Sequence, residues 1–182
     1  MAEQGGEPMM RNGQRWPWRQ AIVVGVDGSS GSKVALRWAL EQAERTAADV
    51  EAVNVWTPDT TYYPYMPVAS AMDDLADAAE TVLLDTLVEV TREYGRSVPI
   101  RPRVLRGFPA EELLHAAGSA QLLVLGAPTR GTVAGLLLGS VSHQCVQRAT
   151  CPVLVTPATP HRLPPQPLRW ADADRHVIPP RS

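Results

Sequence analysis

The sequence has few of the residues on which several protein classes depend. Of its 182 residues, only two are cysteine and one is phenylalanine. The cysteines, Cys145 and Cys151, are too few for a disulfide framework, and with the neighbouring His143 they complete no metal-ligand set. Because free thiols persist in reducing compartments, we expect a cytoplasmic location.

Long apolar runs are also missing. No segment approaches the roughly 18–20 apolar residues that a membrane helix requires. The first twenty residues, MAEQGGEPMMRNGQRWPWRQ, contain no apolar stretch of the secretory type. We therefore expect no membrane partner.

An excess of positive charge is absent as well. The formal net charge is −2, although arginines outnumber acidic residues in both 1–20 and 158–182, so the segment between them is more acidic than the whole. Such a balance disfavours binding to polyanions, and we expect no nucleic-acid partner. The small basic cluster of Arg101, Arg103 and Arg106 is interpreted as the solvated face of a strand.

The two ends of the chain differ in composition from its middle. Residues 1–19 are polar and show no sustained period, and residues 158–182 are rich in proline. Neither segment can bury enough apolar surface to offset the entropy of ordering. We predict a flexible N-terminal tail over 1–19, one folded domain over 20–157, and a flexible proline-rich tail over 158–182.

Short apolar runs alternate with helical patterns inside the predicted domain. Five segments predict strands, namely residues 21–26, 50–56, 98–106, 121–126 and 151–157; the first is nearly all apolar, and the third alternates. Four stretches between them show helical spacing or helix-start signals: 31–47, 72–90, 109–117 and 140–148. Because helical crossovers connect parallel strands, the pattern predicts a three-layer α/β/α sandwich around a five-stranded parallel sheet. Pro99 and Pro102 place the third strand at a sheet edge, since proline cannot donate to a ladder.

Two of the predicted strands end in residues suited to ligand binding. Gly25 and Asp27 lie at the end of the first strand, and Gly126 ends the fourth. In open parallel sheets, ligands bind beyond the carboxyl ends of strands, where the strand order reverses. If these strands are neighbours there, Asp27 could hydrogen-bond a ribose hydroxyl or help to hold a metal ion. The simpler alternative is that Asp27 only turns the chain and caps a helix.

A loop rich in small residues, GAPTRGTVAGLLLGSVS, begins at Gly126 and opens onto a helix. Small residues let the backbone approach a phosphate, and Gly139, Ser140 and Val141 would aim amides at an anion from the helix N-terminus. The hydroxyls of Ser140 and Ser142 can add hydrogen bonds. The loop lacks the lysine of a P-loop, and GVDGSSG lacks the spacing of a dinucleotide-binding motif.

Four segments together resemble the universal stress protein family over roughly residues 20–157: VVGVDGS, VNVW, GFPAEELL and GAPTRGTVAGLLLGSVS…RATCPVLV. The resemblance implies a Rossmann-like, adenine nucleotide alpha hydrolase-like fold with strand order 3-2-1-4-5, which agrees with a proline-marked third strand at an edge. Many members bind ATP through the pattern G-x2-G-x9-G-[ST]. In this chain Gly126 and the pair Gly139-Ser140 keep the spacing, and Thr129 occupies the position of the second glycine.

The resemblance also implies which residues surround the nucleotide. Gly25 and Asp27 are expected near the ribose and phosphates, and the backbone near Val55 against the adenine. The phosphate chain is expected to run along the following residues: Gly126, Thr129, Arg130, Gly139, Ser140, Val141 and Ser142.

Thr129 is the departure from the family pattern. If the backbone there has a positive φ, threonine costs about 1–3 kcal/mol of strain. Its hydroxyl could instead donate to a phosphate, and the neighbouring Arg130 supplies positive charge. We interpret the loop as a modified site that still binds adenine nucleotide.

The predicted function is therefore a stress-response protein that binds ATP as a regulatory ligand, with Mg²⁺ as a candidate companion ion. No catalytic residue is assigned, because the loop shows no general base, P-loop lysine or arginine pair; at most slow ATP hydrolysis is expected. The alternative is a nucleotide-free dimeric interaction module of the same fold. The resemblance implies a homodimer through the strand at 151–157, an apolar edge that can pair with a second chain.

Overall fold

The computed structural model describes residues 21–58, 68–95, 97–128 and 138–158. These residues form one five-stranded sheet with helices on both faces. The predicted N-terminal tail, and all of the predicted C-terminal tail except Ala158, lie outside the described residues.

Strands and helices alternate along the described chain in this order: β1 Ile22–Gly25, α1 Ser30–Thr46, β2 Val50–Trp56, α2 Val68–Tyr94, β3 Ile100–Arg106, α3 Pro109–Ala116, β4 Leu122–Gly126, α4 Ser140–Arg148 and β5 Val153–Thr156. The strand order is β3-β2-β1-β4-β5, and each neighbouring pair is parallel. The predicted fold class and strand order are confirmed.

Both faces of the sheet are covered, which explains why β1, β4 and β5 have nearly continuous apolar sequences. In β1, Ile22 and Val24 pack with α1 and α2, whereas Val23 belongs to the cluster formed with α3 and α4. Two hydrophobic cores therefore lie on opposite sides of one sheet. α2 is the longest helix, but no helix among the described residues is long and apolar enough to cross a bilayer.

α1 begins at a serine cap and buries a wide stripe. The Ser29 hydroxyl accepts the Ser32 N–H over 3.2 Å, which satisfies one of the free amides at the helix start. The predicted inner stripe of Ala35, Ala39 and Ala43 is buried, with Trp38 partly buried beside it. The stripe also includes Leu36 and Leu40, which the sequence prediction omitted.

β3 is an edge strand, as its prolines predict. It begins at Ile100, two residues later than predicted, because Pro99 contributes only its carbonyl, which accepts the Val50 N–H over 2.9 Å. Successive residues of a strand direct their backbone groups to opposite sides. The N–H that Pro102 lacks would therefore lie on the outer side of β3, which faces away from β2.

β5 forms the opposite edge of the sheet and is shorter than the predicted 151–157. Cys151 and Pro152 precede it, and the Pro152 carbonyl accepts the Leu123 N–H over 3.0 Å. The first three residues of β5 are only half-buried, although all of them are apolar.

Candidate functional site

A pocket of about 180 Å³ opens where the strand order reverses between β1 and β4. One part of its lining is apolar: Val26, Val53, Val55, Pro109, Leu113, Leu125 and Val141. The other part consists of polar or very small residues: Gly25, Asp27, Ser29, Ser32, Gly126 and Ser142. A ligand with one apolar and one polar end fits this division.

Asp27 belongs to the turn that connects β1 to α1. Its Oδ1 accepts the Ser29 N–H over 3.0 Å, and the intervening Gly28 has a φ of 80°, which glycine adopts without strain. Asp27 therefore does turn the chain, as the simpler alternative proposes. Its carboxylate is nevertheless exposed and also lines the pocket.

The charge of Asp27 follows from its hydrogen bonds. Partial burial raises the pKa of this carboxyl, but hydrogen bonds from Ser29 and Ser32 outweigh burial and hold the pKa below its ordinary value. The group is therefore ionised at neutral pH. An ionised carboxylate accepts hydrogen bonds and repels anions, so Asp27 suits a hydroxyl donor or a cation rather than a phosphate.

Gly126 lies against the first turn of α1. A Cβ atom added at Gly126 would lie 2.5 Å from the Gly31 carbonyl oxygen and 2.6 Å from the Ser32 nitrogen, and Gly31 in turn abuts the Ala127 carbonyl. Only glycine at both positions lets the end of β4 approach α1 so closely. This contact brings the start of the predicted loop to the Asp27 turn.

α4 contributes the third side of the pocket. Val141 and Ser142 line it, and the Ser142 hydroxyl donates to the Gly126 carbonyl over 3.3 Å. Gly139 occupies the N-cap position with no side-chain cap, and no acidic residue lies in the first turn. The N–H groups of the first turn have no intrahelical acceptor, so they and the helix dipole favour an anion here.

Gly139 and Ser140 begin α4 beside the pocket rather than in its lining. Pro128 packs next to Gly139, with its Cδ 3.5 Å from the Cβ position of that glycine. Pro128 is exposed and does not line the pocket, so it does not fill the space where a ligand would sit. Thr129 and Arg130 lie outside the described residues.

Val55 presents backbone groups to the pocket. The Val26 N–H donates to the Val53 carbonyl over 2.8 Å, so Val53 directs its backbone groups toward β1. Val55 lies two residues further along β2 and directs its N–H and C=O to the same side. Because the pairing of β1 with β2 ends at Val53, these groups point past the end of β1.

The structure thus brings most of the predicted site residues to one place, namely Gly25, Asp27, Val55, Gly126, Val141 and Ser142. Among the polar residues that the site prediction missed are Ser32, which lines the pocket, and Asn54 beside it. The Asn54 side chain donates to the Val26 carbonyl over 2.8 Å and fixes the end of β1. A polar residue inside an apolar strand is the sequence signal that could have identified Asn54.

Among the residues described, no group of three His, Cys, Asp or Glu side chains is placed to hold a metal ion. Asp27 is the one carboxylate in the described lining of the pocket. Mg²⁺ commonly binds through one or two carboxylates together with phosphate oxygens and water. Asp27 therefore fits a magnesium ion that is held mainly by a ligand's phosphates.

A doubly wound parallel sheet with a pocket at its order reversal defines a Rossmann-like α/β protein. The sequence model of the universal stress protein family matches residues 19–157, and the chain belongs to this family. A universal stress protein of Mycolicibacterium smegmatis is 36% identical over 137 residues, covering 75% of this chain and 45% of that protein. The chain thus spans about half the length of the curated relatives it matches.

Solved structures show the same fold. UspA from Lactobacillus plantarum superposes with a TM-score of 0.61 at 23% identity, covering 75% of this chain and 97% of that one. A universal stress protein in complex with cAMP superposes with a TM-score of 0.58 at 26% identity. The superposition covers 77% of this chain and 98% of that one.

Proposed function

We propose that this protein binds an adenine nucleotide, such as ATP, as a regulatory ligand in a stress response. The observation that carries the proposal is the convergence of an ionised Asp27, the Val55 backbone and the N-terminus of α4 on one pocket. A related protein of the same fold that was solved with cAMP supports it.

The apolar part of the pocket suits the base. Val53, Val55 and Leu113 provide aliphatic surface for a flat ring. The Val55 N–H and C=O, which point past the end of β1, offer a donor beside an acceptor. Adenine presents the complementary pair on its Watson–Crick edge, an acceptor at N1 and a donor at N6. Guanine presents the opposite arrangement, so we expect adenine to be preferred.

The polar part of the pocket suits the sugar and phosphates. Asp27 would accept hydrogen bonds from ribose hydroxyls, because its pKa keeps it ionised. The free amides of α4 would face the phosphates, and the Ser142 hydroxyl would donate to them by turning away from the Gly126 carbonyl. We place Thr129 and Arg130 along the same phosphates, and Mg²⁺ would reach Asp27 as an ion carried by them.

Binding rather than turnover follows from the same lining. None of its described residues is a lysine, arginine or histidine that could stabilise transition-state charge or move a proton. We propose that any ATP hydrolysis is slow and that the bound state itself is the signal.

Calorimetric titration with ATP and AMP, with and without Mg²⁺, tests this function. Asp27→Ala removes a charged hydrogen-bond acceptor, so we expect about 10- to 100-fold weaker binding. Asp85→Ala removes an exposed carboxylate of α2 and should leave the affinity unchanged. Equal and non-saturable heats in all three proteins would refute nucleotide binding.

The half-buried apolar residues of β5 support a second proposal, a homodimer formed through this edge. If the protein binds no nucleotide, this interaction would be its function. Light scattering on the purified protein distinguishes the states, and a monomer at micromolar concentration would rule out the dimer.

A cytoplasmic location belongs to the same proposal. Cys145 and Cys151 are both free thiols, which a reducing compartment maintains. Arg101 and Arg103 are ion-paired with Asp49 and Glu51, which supports the absence of a nucleic-acid partner.

A further inference from the structure

We infer that Phe108 is a base-recognition residue that covers the outer face of a bound adenine. The inference rests on the proposed nucleotide site and adds to it a residue that the pocket lining and the family pattern leave unassigned. Phe108 is the single phenylalanine of the chain and immediately precedes α3.

The exposure of Phe108 is the first observation. Its side chain is 68% exposed, more than any other large apolar side chain among the described residues. Exposing a whole phenyl ring forgoes about 1.5–3 kcal/mol of burial free energy. Ligand pockets are lined predominantly by hydrophobic and aromatic side chains, so a bound ligand could cover this ring.

The position of Phe108 is the second observation. Its neighbour Pro109 lines the pocket, and Leu113, one turn further along α3, lines it too. Both belong to the apolar part of the lining, where Val55 also lies. Phe108 therefore directly precedes the part of α3 that borders the region in which we place the base.

The third observation is that the backbone around Phe108 is held firmly. The Gly107 N–H donates to the Trp56 carbonyl over 3.0 Å, and the Thr57 hydroxyl donates to the Gly107 carbonyl over 2.8 Å. The Phe108 carbonyl accepts the Glu112 N–H over 3.0 Å. The turn between β3 and α3 that carries Phe108 is thus anchored to the end of β2 and to the first turn of α3.

Gly107 makes this presentation possible. Its φ of 154° is a conformation that other residues rarely adopt, and a Cβ atom there would lie 2.8 Å from the Glu112 Cγ. The chain can therefore turn sharply from β3 into α3 directly before Phe108. A ring presented in this way can stack on the flat face of a base, because every base has a π face.

Binding measurements with adenosine and AMP test the inference. Stacking on one base corresponds to about a 5- to 150-fold change in affinity. Phe108→Ala should therefore lower the affinity for adenosine and the affinity for AMP by the same factor, within that range. Phe108→Tyr keeps the ring and should retain the affinity. Val88→Ala, which truncates a side chain that is 55% exposed on α2, should change nothing.

A base-free competitor separates stacking from a general disturbance of the site. Ribose 5-phosphate should displace labelled AMP with the same inhibition constant from the Phe108→Ala variant as from the unaltered protein. Equal AMP affinity of these two proteins would overturn the inference while leaving the proposed function intact. The same holds if Phe108→Ala lowers the affinity for ribose 5-phosphate as much as the affinity for AMP. No binding by the unaltered protein would overturn both.

Discussion

Gly31 and Gly126 touch through their backbones, 95 positions apart in the sequence. A Cβ atom at Gly126 would lie 2.5 Å from the Gly31 carbonyl oxygen. The contact holds the end of β4 against the first turn of α1. It therefore determines how closely the two polar sides of the pocket, the Asp27 turn and the α4 N-terminus, approach each other.

Replacing Gly126 with alanine should destabilise the fold. The added methyl group would meet backbone atoms of Gly31 and Ser32, which cannot move without shifting α1. We expect the free energy of unfolding to fall by about 1–3 kcal/mol, as for other overpacked positions. Urea denaturation measures the change.

Gly118→Ala is the matched control, because a Cβ there would lie 3.4 Å from the nearest atom, the His115 carbonyl oxygen. We expect it to be close to neutral. Equal stabilities of the two variants would contradict a backbone contact at Gly126. A binding defect of Gly126→Ala would not by itself identify a phosphate contact, since the fold changes too.

Asp27→Asn should change how stability depends on pH. The folded-state pKa of Asp27 lies below 3.8, so ionised Asp27 contributes stability that is present above that value and is lost as the pH falls through the folded-state pKa. The variant should be less stable than the unaltered protein at neutral pH. Urea titrations at a series of pH values should show the difference shrinking below about pH 4. A difference that is independent of pH would contradict the lowered pKa.

Two arginine ion pairs should differ in their effect on stability. Arg103 pairs with Glu51, whose side chain is 3% exposed, whereas Arg148 and Glu111 are both more than half exposed and lie 4.0 Å apart. Arg103→Ala would leave a buried carboxylate without its partner, and we expect a loss of about 1–3 kcal/mol. Arg148→Ala should cost under about 0.5 kcal/mol.

Thermal unfolding of both arginine variants measures the contrast. Adding Glu51→Gln to Arg103→Ala removes the unpaired charge and should restore part of the lost stability. No recovery in the double variant would show that the packing of the Arg103 stem, rather than the charge, accounts for the loss.

Cys145 should react with thiol reagents only when the protein unfolds. Burial raises the pKa of this thiol, and its side chain is fully enclosed beside the Ala110 carbonyl. The thiolate, which is the reactive form, is therefore scarce and inaccessible. In a Cys151→Ala background, the labelling rate with a disulfide reagent should follow the fraction of unfolded protein as denaturant is added. Rapid labelling in native buffer would contradict the buried position.

The parts of the fold that depend on local chemistry could be predicted from the sequence. The bounds of β2 follow from a short, mainly apolar segment, and the edge position of β3 follows from Pro99 and Pro102. Asp27 and Gly126 could be assigned to one crevice because the carboxyl ends of neighbouring parallel strands meet there.

Contacts between distant segments could not be predicted in the same way. Gly31 occupies a helix start where many residues are tolerated, and its need for glycine arises only from the backbone of Ala127, which directly follows β4. Leu36 and Leu40 were missed because α1 contacts both α2 and the sheet, so its buried stripe is wider than one row of alanines. The dual use of Asp27, in the turn and in the pocket, likewise appears only in three dimensions.

Pro102 has a consequence for how many copies of this chain can associate through their sheets. The edge strand β3 lacks one outward amide hydrogen at Pro102, so it is a poor template for pairing with a further strand. β5, the edge strand on the opposite side of the sheet, contains no proline. Two chains that join symmetrically through β5 would leave β3 at both ends of the combined sheet. Growth would then stop at two subunits instead of continuing into a filament.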